Sequence, residues 1–159
     1  MKKNISIFLL GAAVVIAFDQ VTKYAITSGF VMHESYPVIN GLFNLVYVMN
    51  PGAAFGFLAN APEIFRYIFF TSVTILALVL ILYYLAKHKP QSLMLVCALT
   101  LIFAGAVGNL IDRLRFGAVV DFLDVYIGSA HWPAFNVADS AISIGAVLMI
   151  WDMIANRKK

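Results

Sequence analysis

Three carboxylates interrupt a very oily sequence: Asp112 in Gly108-Asn109-Leu110-Ile111-Asp112-Arg113, Asp121 in Val119-Val120-Asp121-Phe122, and Asp139 in Phe135-Asn136-Val137-Ala138-Asp139-Ser140. An Asp at the centre of a membrane helix costs about 2.5 to 3.5 kcal/mol, and less near the ends, so such placements need a reason. Asp121 and Asp139 offer the sharpest one. Two carboxylates held close together do not both ionise easily, so one proton is shared. The ionised member can then deprotonate water while the protonated one donates to a carbonyl oxygen. That is the chemistry of an aspartic peptidase. Each residue also has a structural alternative: Asn136 followed three positions later by an acid resembles a capping box that suits the helix dipole, and Asp121 is equally readable as a solvated loop acid. Base and acid are left unassigned between the two, although a cap position favours an ionised Asp139.

Other polar residues carry weaker chemistry. Asp19 and Lys23 are four apart with the acid first, the favourable order for an intrahelical ion pair, or they snorkel at an interface. Asp112 and Arg113 are adjacent and do not face each other on a helix, so Arg113 is expected beside the carbonyl end of its own segment or turned toward Asp121. Ala104, Gly105 and Gly108 are small residues that let helices approach, and Asn109 either bonds a neighbouring helix or orients a loop. A Ser140–Lys23 dyad fits less well, because a helical serine readily bonds its own backbone. His33, His88 and His131 lack metal-ligand spacing, and Cys97 lies mid-run without a nearby base, so no metal site is expected.

The elements that must position these residues follow from composition. With 62% hydrophobic and 12% charged residues in 159, the chain belongs in a bilayer. One cysteine excludes an internal disulfide. The net charge is +3, and Lys2, Lys3, Lys87, Lys89 and Arg157 to Lys159 sit at the ends of apolar runs, which is topology information and not a nucleic-acid footprint. The basic start and apolar run resemble a signal peptide, yet the pattern continues through Asp19 and Lys23 without a small-residue cleavage site, so a retained span is expected. Spans at about 5–26, 65–86, 92–111 and 137–154 give four crossings in one domain, 1–159, with outer loops at about 27–64 and 112–136. The basic clusters share one side only with four crossings, which puts both termini in the cytoplasm and seven of the eight acids, all but Asp152, on the outer side. The outer loops have structure of their own: Tyr36 to Val48 is expected to form a hairpin about a two-residue Asn40-Gly41 type I′ turn, and Val119 to Ile127 an extended strand. In Asn50-Pro51-Gly52-Ala53-Ala54-Phe55-Gly56, Pro and Gly fix a turn and leave backbone open to close approach.

Five stretches in order, Asp19-Gln20-Val21-Thr22-Lys23, Asn50 to Gly56, Gly108 to Arg113, Val120-Asp121-Phe122 and Phe135 to Asp139, resemble the motif set of the bacterial lipoprotein signal peptidases, the type II signal peptidases, over nearly the whole chain. The resemblance implies an all-α integral membrane protein with four transmembrane helices, a small extracytoplasmic β-cradle and an outer interfacial loop or helix. It implies a monomeric aspartic endopeptidase of the bacterial inner or plasma membrane, with its site at the outer leaflet among membrane lipids. The substrates would be diacylglyceryl-prolipoproteins, cut just before the lipidated cysteine. By motif position Asp121 and Asp139 would be catalytic. Asp19, Lys23, Asn50, Gly52, Gly105, Asn109, Arg113, Asn136 and Ala138 would support the pair or contact substrate. No cofactor or metal and no nucleic acid would be involved, and the peptide antibiotic globomycin would inhibit. Two rivals predict other things: an ion-conducting protein would spread its acids over several depths, and a docking factor would tolerate Asn at both aspartates.

Overall fold

Apolar runs of this length leave the backbone one economical solution, since every N–H and C=O within hydrocarbon must be paired inside its own segment. A computed structural model describes residues 2–52, 58, 61–88 and 92–156, and shows four helices long and apolar enough to cross a membrane. These are α1 (Lys2–Gly29), α2 (Glu63–Lys87), α3 (Leu93–Phe116) and α4 (Val137–Asn156). The shortest has 20 residues, which at about 1.5 Å per residue reaches across a hydrocarbon core. Helix α3 is the inner one and packs against the other three, while α2 packs on α3 alone among the described elements. The outward faces of α1, α2 and α4 expose side chains such as Leu10, Val14, Leu76, Leu80, Val147 and Ile154, as lipid-facing surfaces do.

The buried face of α3 is built of small residues, including Ala98, Ala104, Gly105, Ala106 and Gly108. Close approach is needed there: a Cβ on Gly105 would run into the carbonyl oxygen of Ala138, and one on Gly145 would lie 2.8 Å from the carbonyl oxygen of Ala98. The α3–α4 contact therefore rests on backbone meeting backbone. Helix α3 runs five residues past the expected end at 111, because Asp112 finds buried partners there. It stops at Gly117, which takes the left-handed conformation (φ 73°) and donates its N–H to the Arg113 carbonyl at 2.9 Å.

Four antiparallel strands, β1 (Ser35–Ile39), β2 (Phe43–Asn50), β3 (Val119–Ile127) and β4 (Ala130–His131), form a sheet in the order β1-β2-β3-β4. The strand expected over Val119 to Ile127 is present. The hairpin turn differs from expectation. Ile39 pairs with Phe43 across a three-residue loop, Leu42 N–H bonds Ile39 O at 3.0 Å, and only Gly41 has a positive φ (82°). A type I′ turn needs positive φ at both Asn40 and Gly41; positive φ at the second central residue alone is the type II pattern. Ile26 of α1 packs with Val120 and Phe122 and so seats β3 on the helix bundle. Of the turn at Asn50 to Gly56, residues 53–56 lie outside the described residues, as do Lys89 and residues 157–159.

Candidate active site

An ammonium has three donors, and the Lys23 side chain, 3% exposed, spends all three on protein acceptors. Its Nζ lies 2.9 Å from Asp19 Oδ2, 2.8 Å from Asp112 Oδ2 and 3.0 Å from Asn109 Oδ1. The expected i, i+4 pair is thus one arm of a buried knot that joins α1 to α3. Asp19 uses its other oxygen to accept the Ala138 N–H at 2.9 Å, satisfying a free donor in the first turn of α4. Asp112 Oδ2 accepts the Val120 N–H at 3.1 Å, which ties the knot to the strand residue beside Asp121. Gln20 bridges from behind: its Nε2 lies 3.1 Å from Asp19 Oδ2, 3.1 Å from Asp112 Oδ1 and 3.2 Å from Gly108 O. A Cβ on Gly108 would sit 2.5 Å from Asp19 Oδ2 and 3.3 Å from the Ala138 Cβ, so glycine at 108 and a small residue at 138 make room for that carboxylate.

The same knot reaches the two candidate catalytic acids through asparagines. Lys23 holds Asn109 by its oxygen, which turns the Asn109 Nδ2 to donate to Asp139 Oδ1 at 2.7 Å. Asn136 caps α4 as the sequence suggests: its Oδ1 accepts the Asp139 N–H at 2.8 Å while Asp139 Oδ2 accepts the Asn136 N–H at 3.3 Å. Its side chain does more than cap, because Nδ2 also donates to Asp121 Oδ1 at 2.7 Å. Asn50, from the end of β2, donates to the second oxygen, Asp121 Oδ2, at 2.9 Å, and its own oxygen accepts the Gly52 N–H at 3.0 Å. Each of the four carboxylate oxygens thus accepts an N–H and keeps lone-pair capacity for water or a proton. Burial, and after it the charge of Asp139, pushes the Asp121 carboxyl up to about 7 against the opposing pull of Asn50, Asn136 and Lys23.

The arrangement opens into a cavity of about 740 Å³ lined by Asn50, Gly52, Asn109, Arg113 and Asp139, by the Trp132–Phe135 segment, and by apolar residues of α2, α3 and α4. Because α2 does not pack on α4, this cleft continues between them along Val73, Ala77, Ile142 and Ile144. Arg113 points into the cleft with its guanidinium 5.6 Å from the Phe70 ring centroid. The expected residues therefore divide in two. Asn50, Gly52, Asn109, Arg113 and Asn136 surround or reach Asp121 and Asp139, whereas Asp19, Lys23, Gly105 and Ala138 stand behind them. Ser140 Oγ donates to the Asn136 carbonyl at 2.9 Å and Lys23 is saturated, so the two form no dyad. Sequence reasoning gave no role to Gln20 or to Asp112 as an anchor for β3, since their partners lie 88 and 8 positions away in other elements.

Comparison with known proteins agrees with this architecture. The profile of the family described as signal peptidase (SPase) II matches residues 11–155. A lipoprotein signal peptidase of Syntrophus aciditrophicus is 58% identical over 100% of this chain and 99% of its own. One of Desulforapulum autotrophicum is 52% identical over 93% of this chain and 91% of its own. The structure of a bacterial membrane enzyme solved by the in meso method at 2.3 Å superposes with a TM-score of 0.86 at 39% identity, covering 98% of this chain and 93% of that one.

Proposed function

The chain belongs to the signal peptidase II family, and from that premise we propose that it removes signal peptides from diacylglyceryl-modified prolipoproteins just before the lipidated cysteine, with Asp121 and Asp139 as catalytic pair. The observation that carries the reading is Asn136, which hydrogen-bonds both carboxylates at once and so couples a strand acid to a helix acid. An ionised Asp139 takes a proton from water as the water oxygen bonds to the scissile carbonyl carbon, and protonated Asp121 gives its proton to the carbonyl oxygen. The tetrahedral intermediate collapses when Asp139 returns its proton to the leaving nitrogen and the carbon–nitrogen bond breaks. Asp121 recovers its proton from the intermediate's hydroxyl as the carbonyl re-forms. Asp139 suits the base because it faces the N-terminal dipole of α4, and Asp121 suits the acid because its carboxyl stands at about 7.

The apolar cleft between α2 and α4 suits a lipid-anchored substrate, whose acyl chains and signal helix already hold the scissile bond near the membrane surface. Much of the entropic cost of positioning is then met before chemistry. Arg113 offers a cation to substrate carbonyls in the cleft. The same reading puts both termini in the cytoplasm and the dyad at the outer leaflet, has the chain act as a monomer, and makes globomycin an inhibitor.

The test incubates purified protein with a diacylglyceryl prolipoprotein beside an unlipidated copy. Only the lipidated substrate should lose its signal segment, and Asp121→Asn and Asp139→Asn should each slow cleavage by about 10³-fold or more while the protein stays folded. Near-normal turnover by either variant, or equal cutting of both substrates, sinks the proposal.

A further inference from the structure

Beyond the dyad, one face of the sheet carries a row of polar side chains across three strands. Asn44 of β2 is the direct cross-strand partner of Asp124 on β3, and its Nδ2 donates to Asp124 Oδ2 at 2.8 Å. On the other side, His131 of β4 pairs with Tyr126 and lies diagonal to Asp124, the second reach allowed across a sheet. Its Nδ1 is 2.8 Å from Asp124 Oδ1, and its ring stacks on Tyr126 with centroids 4.7 Å apart and planes within 5°. Tyr126 is itself fixed, because its hydroxyl accepts the Gly41 N–H at 2.9 Å. Asp124 is 7% exposed, so its carboxylate is largely withdrawn from water and held by side chains of both neighbouring strands.

What the row holds is a wall of the cleft. From β4 the chain continues along β3: Trp132 N–H donates to Val125 O at 2.8 Å, and Phe135 exchanges hydrogen bonds with Leu123 at 3.1 and 2.8 Å. Strand alternation turns Trp132 to the face opposite His131, the face that bears Asp121, and Trp132 to Phe135 line the cavity beside Asp139. Pro133 has no N–H to give, so between Trp132 and Phe135 the strap is pinned chiefly at its ends. The end next to Asn136 is anchored by the helix cap. The other rests on a two-residue strand and the His131 side chain.

We propose that Asn44, Asp124, Tyr126 and His131 form a latch that positions the Trp132–Phe135 wall, so that His131 is a positioning residue for substrate engagement and not for the dyad's proton transfers. The inference rests on the peptidase reading above for its kinetic consequence but not for its structural one. A wall held in place governs how tightly the substrate segment flanking the scissile bond is held, while Asp121 and Asp139 keep their own asparagine partners.

The test uses the full-length enzyme and two measurements. In cleavage of the lipidated substrate, His131→Ala should raise KM by up to about fivefold and leave kcat within about twofold, the loss expected for a hydrogen-bonded pair whose His131 side chain is half exposed and which acts on binding. His131→Asn, whose amide nitrogen stands near the position of Nδ1, should recover part of the KM. In a Trp151→Phe background, which leaves Trp132 as the sole tryptophan, Trp132 is already 59% exposed, so the readout is its mobility: its fluorescence anisotropy should be lower in His131→Ala and in Asp124→Leu than in their parent. The anisotropy arm needs no substrate, so it decides the latch even if the lipidated peptide is not cut, an outcome that would overturn only the reaction. Unchanged anisotropy in both variants overturns the latch, as does a His131→Ala defect confined to kcat.

Discussion

Near one end of the bundle, Phe8 of α1, Ile81 of α2 and Val96 and Leu99 of α3 meet in an apolar cluster, with the Ser92 hydroxyl bonding Asp152 beside it as a polar tie between α3 and α4. At the other end, Asp19, Lys23, Asn109, Asp112, Asp121 and Asn136 are almost wholly buried, and each has named polar partners. The apolar end is held by contacts with little directional preference, which tolerate small rotations of one helix against another. Hydrogen bonds and ion pairs weaken steeply when misaligned, so the polar end fixes its members in direction as well as in distance. Both ends join α1, α3 and α4. Only the second specifies where two facing carboxylates, Asp121 and Asp139, must point.

The contrast breaks most visibly at Lys23. Replacing it by Met leaves Asp19 and Asp112 buried without their shared cation, and removing one partner of a buried ion pair costs about 3 to 5 kcal/mol. Asn109 also loses one of the two donors that orient its amide toward Asp139, keeping only Asn136 Nδ2 at 3.2 Å, so activity should fall with stability. Thermal unfolding and cleavage measured in the same detergent check both, and a Lys23→Met protein as stable and active as its parent would dissolve the distinction between the two ends. At the apolar end Leu99→Ala removes a side chain that is 6% exposed, and costs about 2 to 5 kcal/mol by cavity formation. Turnover per folded molecule and its pH profile should nevertheless be unchanged. A shifted profile in Leu99→Ala would mean that packing far from the dyad sets its geometry.

That division also explains what could be read from residues alone. The four apolar helices, the cap formed by Asn136 and Asp139, the Asp19–Lys23 pair and the Val119–Ile127 strand all depend on partners within a few positions or on a short period, and such signals survive in one dimension. The hairpin turn was legible as a turn but not by type, because the backbone angle of Asn40 depends on where Ile39 and Phe43 pair. Helix α3 outran its apolar stretch because Asp112 finds Lys23 and Val120 in three dimensions, and no local pattern announces that rescue. Arg113 had two expected positions; it lines the cleft, with its guanidinium over the ring of Phe70, a neighbour 43 residues earlier in another helix that no local spacing announces. The Asn44-Asp124-His131 row was invisible for the same reason: strand register, not spacing, makes those residues neighbours.

The smallest effect expected is also the most specific to the polar end. Asn50 donates one hydrogen bond to Asp121 at 2.9 Å, and that bond favours the ionised carboxylate. In the proposed mechanism Asp121 must hold its proton to serve the carbonyl oxygen, so kcat/KM should decline on the alkaline side as Asp121 ionises near pH 7. The sign for stability is the same. With an unfolded carboxyl near 3.8 and a folded one near 7, Asp121 penalises the fold as pH rises through that window. Asn50→Ala withdraws support from the charged form, which raises the folded carboxyl further and lets the proton persist to higher pH. The alkaline limb should therefore move upward by up to about one pH unit, with only a modest loss at the optimum. A limb that stays in place, or moves downward, would mean that Asp121 is not the group whose proton limits the reaction, and the roles assigned to the two aspartates would have to be exchanged.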